Sequence, residues 1–265
     1  MTNDITFAEL DLVEPILNAV TETGYTKPTP IQARVIPAML AGDDVVGIAQ
    51  TGTGKTAAFV LPVLNRLALD EEKVGARRAK VLMLVPTREL ATQISDGLKT
   101  YGQHLNIAST VVVGGVKAGP QHRAMAKGLD VLIATPGRLL DHLATGAIRL
   151  DRTRTIILDE ADQMLDLGFM PAIRKIMAKL PNKRQTAMLS ATMPGQIRKL
   201  AEDFLNNPVE VSVAPASKPI EKIEQSVCFV PASAKRAVLV QLLADRAVER
   251  AIVFTRTKHG TDRVV

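Results

Sequence analysis

The chain has no tryptophan, two tyrosines and a single cysteine in 265 residues. One thiol, Cys228, rules out an internal disulfide framework. The four histidines, at 104, 122, 142 and 259, are scattered without metal-ligand spacing, which argues against a histidine-built zinc site. No apolar run approaches the length of a membrane span, and the opening MTNDITFAELDL is acidic rather than basic, so a soluble cytoplasmic protein without a membrane partner is expected. The scarcity of aromatic residues excludes a further class. Readers of single-stranded bases carry several exposed stacking platforms, whereas most of the six phenylalanines here fall inside apolar periodic stretches. A nucleic-acid partner would therefore be held by its sugar-phosphate backbone, without a base code. The net charge of +6 and a pI near 9.5 favour a polyanionic partner, and 46% hydrophobic residues suffice for one large domain and part of another.

The most informative segment present is AQTGTGKT, which comprises Ala49, Gln50, Thr51, Gly52, Thr53, Gly54, Lys55 and Thr56. It joins an apolar run (residues 43–49) to a helical pattern (residues 55–67). Glycines at 52 and 54 let successive backbone amides turn inward, and the helix that follows adds the positive end of its dipole. Lys55 supplies a point charge for β and γ phosphates, and the Thr56 hydroxyl can ligate Mg2+. Ala49 stands where the usual pattern has its first glycine.

Short aliphatic runs at 45–49, 80–85, 109–115, 130–135, 154–159 and 185–192 alternate with helical periodicity, for example over 89–101 and 171–180. The alternation predicts an α/β fold with a parallel sheet and helices on both faces, whose ligands sit beyond the carboxyl ends of the strands. Leu12, Val13, Ile16, Leu17 and Val20 predict a helix ahead of the sheet. Residues 208–222, with three prolines, read as a linker. Beyond it, 223–230 and 251–255 have strand character and 233–246 helical character, too little to enclose a core, so 223–265 is expected to be the opening of an incomplete second domain.

Asp159, Glu160, Ala161 and Asp162 follow the apolar run TIIL directly. A carboxylate at the tip of a buried strand, on a sheet that already carries a phosphate loop, is suited to hold the waters of Mg2+, and Glu160 is placed to orient or deprotonate an attacking water.

In order and wording these motifs resemble the N-terminal RecA-like, P-loop domain of DEAD-box ATP-dependent RNA helicases, over roughly residues 7–257, with the closest wording in the bacterial RhlE-like subgroup. The resemblance implies an N-terminal ATP-binding domain at 1–207, with a Q motif at 5–33 in which Gln32 bonds the adenine edge, Tyr25 stacks on the ring and Lys27 belongs to the same ATP-binding element. It implies RNA contacts from Pro86, Thr87 and Arg88, from Gly114 and Gly115, and from Thr135, Pro136, Gly137 and Arg138. It further implies coupling through Ser190 and Thr192 to Asp162, catalysis by Lys55, Asp159 and Glu160, and metal binding by Thr56 and Asp159. Residues 252–258 (IVFTRTK) resemble the motif that opens the C-terminal RecA-like domain, whose later arginine-finger motifs have no counterpart here. The implied cofactors are ATP and Mg2+, and the implied partner is RNA, bound by a monomer that unwinds short duplexes. This chain alone would bind nucleotide but hydrolyse it poorly. Two alternatives are another P-loop nucleic-acid motor and a non-catalytic RNA-binding clamp.

Overall fold

The computed structural model describes residues 5–213, 224, 226–245, 248–262 and 264. Two compact units divide the chain, Met1–Ala216 and Ser217–Val265. In the first, a short 3-10 turn at Phe7–Glu9 precedes α1 (Glu14–Glu22), α2 (Pro30–Ala41), β1 (Val45–Ile48), α3 (Lys55–Ala68), β2 (Ala79–Leu84), α4 (Arg88–Tyr101) and β3 (Ser109–Val112). The chain continues through α5 (Ala118–Met125), β4 (Leu129–Ala134), α6 (Pro136–Ala144), β5 (Thr155–Leu158), α7 (Ala161–Asp166), α8 (Met170–Met177), β6 (Gln185–Ser190), α9 (Gly195–Phe204) and β7 (Val209–Ser212).

The strands form one seven-stranded sheet in the order β3-β4-β2-β5-β6-β1-β7. Every pairing is parallel, with Ile157 opposite Met83 and Ala187, and Gly47 opposite Leu189 and Val211. Parallel pairing requires long crossovers, and the helices that supply them cover both faces, which is the arrangement the sequence alternation predicts and the RecA-like α/β class the resemblance implies. Alternate strand residues divide between two cores. Val81, Met83, Ile133, Ile157 and Leu189 pack with residues of α1 to α4. Leu82, Leu84, Leu132, Ile156 and Met188 pack with residues of α5 to α9. Burial on both faces explains why the strands read as continuous apolar runs rather than as alternating ones.

The expected linker at 208–222 begins too early. Residues 209–212 form β7, which pairs along β1, and Val211 is buried against the sheet. The alternating V-E-V-S was the signal for this edge strand, and the prolines that follow it obscured it. Asp44, just before β1, locks this edge, because its buried carboxylate accepts the Thr186 and Asn206 amides at 2.7 Å each. Asp44→Ala would strand two donors, and an equilibrium urea melt should register a loss of about 3 kcal/mol.

In the second unit, α10 (Lys235–Leu243) and a short α11 (Lys258–Asp262) are the α-helices among the described residues. The helix expected at 233–246 is present in shortened form. The strands expected at 223–230 and 251–255 are not found among the described residues, which exclude 223 and 225. Val227, Phe229, Ile252 and Phe254 are exposed instead. A strand exists only by pairing, and isolated β-prone segments of this length lack the neighbours that would stabilise them. Among the described residues, no helix is long and apolar enough to cross a membrane.

Candidate active site at the carboxyl edge of the sheet

The loop from β1 to α3 is shaped by two left-handed glycines. Gly52 has φ +80° and Gly54 has φ +88°. A Cβ on Gly54 would displace the Gln32 side-chain amide and would have to adopt a left-handed backbone, so a side chain here would be strained and would disturb Gln32. Ala49 needs no such freedom: it is buried at the end of β1, outside the left-handed region, and its amide donates to the Ser190 carbonyl at 3.0 Å. Gln50 is exposed, and its carbonyl accepts the Thr53 hydroxyl at 2.7 Å, which tightens the turn.

Lys55 opens α3, and its side chain is almost wholly buried, at 7% exposure. Its Nζ has no hydrogen-bond partner. An ammonium held out of water without an acceptor is costly unless an anion completes it. Beside it, Asp159 follows β5 and is 3% exposed. Burial pushes its carboxyl up to about 6; the Lys55 charge opposes this, the Glu160 charge adds to it, and the Glu160 amide pulls it down through a 2.9 Å hydrogen bond to Oδ1. Glu160 occupies the left-handed region at φ 52°, ψ 52°, a strained conformation for a residue with a Cβ.

Tyr25 and Gln32 from the α1–α2 segment, Thr51, Gly52, Gly54, Lys55 and Thr56 from the glycine loop, and Asp159 with Glu160 all line one cleft of about 330 Å3. Residues up to 135 positions apart in sequence thus share one concavity. Lys27 lies on the exposed segment before α2, outside the lining. Gln32 caps α2, with Oε1 accepting the Thr29 amide at 2.9 Å and Nε2 donating to the Gly54 carbonyl at 3.1 Å, so one amide ties the helix start to the glycine loop. Leu90, Gln93 and Tyr101 of α4 also line the cleft, and sequence reasoning missed all three. In the sequence, Tyr101 looks like the end of an amphipathic helix. In the fold its ring lies 6.4 Å from that of Tyr25, tilted by 40°, and burial, then hydrogen bonding and charge interaction with Tyr25, push its phenol up to about 12.

Asp162, Ser190 and Thr192 also come together. The Thr192 hydroxyl and amide both donate to Asp162 Oδ2, at 2.8 and 2.9 Å, and the Asp162 amide donates to Ser190 Oγ at 3.3 Å. Burial works against ionisation of Asp162, but the bonds from Thr192, Ser190 and the Gln163 amide outweigh it and hold the carboxyl below its ordinary range. A connection therefore runs from the tip of β6 to the start of α7.

The remaining candidates stand at the ends of β2, β3 and β4, the other half of the same edge. Pro86 is buried, and Thr87 caps α4 by accepting the Leu90 amide at 3.2 Å. Arg88 is exposed and lies against Gly115 (φ +73°), where a Cβ would meet its guanidinium at 2.9 Å. Gly114 adjoins it, while Thr135 and Pro136 begin α6 and Gly137 is exposed. Arg138 is not free: its Nη2 donates to the Val116 carbonyl at 2.6 Å and its Nε to Gln121 Oε1 at 3.1 Å.

A cleft of similar size, about 340 Å3, lies at the amino ends of the strands around Arg66, Lys80 and Arg154. Its cations are already engaged, Arg66 with Gln185, Thr155 and the Met39 carbonyl, and Lys80 and Arg154 with Asp70. The carboxyl-edge cleft differs in holding an unpartnered cation.

The pattern of the DEAD/DEAH box helicase family matches residues 29–200. Among curated proteins, the chain is 43% identical over 259 residues to the ATP-dependent RNA helicase DeaD of Klebsiella pneumoniae, covering 97% of this chain and 40% of that protein. It is 41% identical over 258 residues to the DEAD-box ATP-dependent RNA helicase RhpA of Helicobacter pylori (strain B128), covering 97% and 51%. Among solved structures, a DEAD box protein from the hyperthermophile Methanococcus jannaschii superposes with a TM-score of 0.73 at 33% identity, over 98% of this chain and 68% of that one. The chain thus spans about two fifths to one half of the length of these two curated relatives.

Proposed function

Because the chain belongs to the DEAD/DEAH box helicase family, we propose that its carboxyl-edge cleft binds ATP with Mg2+ and that the loops after β2, β3 and β4 grip the backbone of single-stranded RNA. The observation that carries this reading is the buried Lys55 ammonium without an acceptor, next to a buried carboxylate and beneath a left-handed glycine loop. A phosphate chain supplies the missing acceptor. Among the described residues, no group of three or more His, Cys, Asp or Glu side chains forms a metal cage. That fits Mg2+, which is typically held by one or two carboxylates together with substrate phosphates.

In this reading Lys55 holds the β and γ phosphates, Thr56 and Asp159 hold the metal, and the Glu160 carboxylate accepts the proton of the attacking water. Bound Mg·ATP supplies the phosphoanhydride and a concentrated positive charge at its oxygens. Gln32 and Tyr25 read and stack the adenine, Lys27 flanks that element, and the Thr192–Asp162–Ser190 connection transmits closure towards the RNA loops. The wording of residues 252–258 supports assigning 223–265 to a second RecA-like domain, and the reading places the chain in a cytoplasmic, monomeric helicase of the RhlE-like subgroup. This chain by itself is expected to be a poor ATPase, since phosphoryl transfer depends on charges closing over the phosphates.

Calorimetric titration with Mg·ATP and Mg·GTP tests the proposal. Adenine should be preferred by about tenfold, because a site built to hydrogen-bond one base edge leaves groups unpaired with the other. Equal affinity for the two nucleotides, or binding indifferent to Mg2+, would overturn it.

A further inference from the structure

The strongest feature outside the nucleotide cleft is a buried polar cluster behind the Gly114-Gly115 turn. Gln121 of α5 is 6% exposed and His142 of α6 is 1% exposed. Gln121 Nε2 donates to the Val113 carbonyl at 3.0 Å, and Arg138 Nη2 donates to the Val116 carbonyl at 2.6 Å. The two carbonyls that bracket the glycine pair are thus each pinned by a side chain. Those side chains also pin one another, because Gln121 Oε1 accepts from Arg138 Nε at 3.1 Å and from His142 Nε2 at 2.7 Å.

This arrangement dictates the state of the histidines. An amide oxygen only accepts, so His142 carries its proton on Nε2. In the neutral ring Nδ1 is bare, and it accepts from His122 Nε2 at 2.9 Å, the two rings meeting edge to face with centroids 4.8 Å apart. A second proton on His142 would place a buried cation beside the Arg138 guanidinium, with both sharing a single amide oxygen.

We infer that Gln121 and His142, backed by His122, are positioning residues that hold the Gly114-Gly115 turn and Arg138 in shape for backbone phosphates, and that protonation of His142 releases this hold. The inference rests on the proposed RNA reading and adds to it residues outside the strand-end motifs. Burial first, then the charges of Arg138 and His122, lower the His142 pKa, and Asp141 opposes them. These are the charged and titratable groups acting on the ring, from its own helix and from α5. A depressed histidine pKa favours the fold above the unfolded value, near 6.5, and that contribution is lost as pH falls from there through the folded value.

The test is the pH profile of RNA binding, followed by anisotropy of a labelled oligouridylate on the whole chain between about pH 8 and pH 5.5. Ordinary electrostatics makes a basic protein bind RNA more tightly as it gains protons. The wild-type chain should do the reverse and lose affinity on acidification. His142→Gln keeps a donor for Gln121 Oε1 but cannot titrate, so it should bind like wild type at pH 8 and show no acid loss. Gln121→Leu should weaken RNA binding about tenfold at pH 8, the cost of one lost anchoring hydrogen-bond network, with Mg·ATP affinity unchanged. Affinity that holds or rises on acidification, or an acid loss that persists in His142→Gln, overturns the inference. Should wild type fail to bind RNA even at pH 8, the RNA reading falls and takes this inference with it; binding at pH 8 without acid loss removes the inference alone.

Discussion

Lys55→Met is expected to weaken Mg·ATP binding by about 100-fold, close to 3 kcal/mol, while the nucleotide-free protein melts no earlier than wild type. The two halves of this result have one origin. In the free protein Lys55 Nζ makes no hydrogen bond, so replacing it breaks none, and methionine keeps the apolar length of the stem that α3 buries. The cost of a desolvated cation disappears from the folded state and offsets the lost attraction to Asp159, whose carboxyl can keep its proton instead. With nucleotide present, the same cation is the charge that the β and γ phosphates lack elsewhere in the cleft, so its loss is felt in full. Differential scanning fluorimetry with and without Mg·ATP reads both halves, because a ligand that binds only the native state raises the melting temperature by an amount that grows with the logarithm of its affinity. A variant that melts early, or one that keeps the nucleotide-induced shift, would show that Lys55 is a structural residue.

Asp159→Asn should stabilise the free protein at neutral pH by about 3 kcal/mol and remove most of the Mg2+ dependence of its ATP binding. The Asp159 carboxyl rises from 3.8 to about 6 on folding, first because of burial. Below about pH 3 it is protonated in folded and unfolded chains alike, and at pH 4 the variant should differ from wild type only slightly. As pH climbs towards 6 the unfolded chain ionises while the fold retains its proton, so wild-type stability falls, and above 6 the full penalty is in place. Asparagine never ionises, and its side-chain oxygen can still accept the Glu160 amide. Urea melts at pH 4 and pH 7 without divalent cations separate the two variants: a difference that grows with pH supports the reading, and identical curves oppose it. The lost Mg2+ dependence would come from the same carboxylate, which is the one buried acid in the cleft available to a metal. The residues that make the site useful are thus residues the free fold tolerates at a cost.

Much of this molecule is legible in one dimension because its elements are locally encoded. The six runs expected as strands coincide with β1 to β6 to within two or three residues at either end, and the alternation with helices implies a parallel sheet, since a crossover needs a helix between parallel neighbours. Lys55 and Asp159 are legible for a related reason: each follows a strand on its way to the next helix, where a change of periodicity marks the carboxyl edge of the sheet. Residues 226–230 and 251–255 show the limit of such reading, because apolar, β-branched residues indicate capacity for pairing but not the presence of a partner. Residues 209–212 show the converse, a strand made by the open edge of β1.

By itself the amino-acid sequence determined the α/β class, the glycine loop and the acidic strand tip, because glycine freedom, helix dipoles and apolar periodicity act over a few neighbouring residues. Only the tertiary structure decided the strand order that sets β5, β6 and β1 side by side at the proposed nucleotide site and β3, β4 and β2 at the proposed RNA site, the pairing of Tyr101 with Tyr25, and the burial of Gln121 and His142 behind the glycine turn. Those outcomes depend on which distant surfaces exclude water together, and no local stretch of chain carries that information.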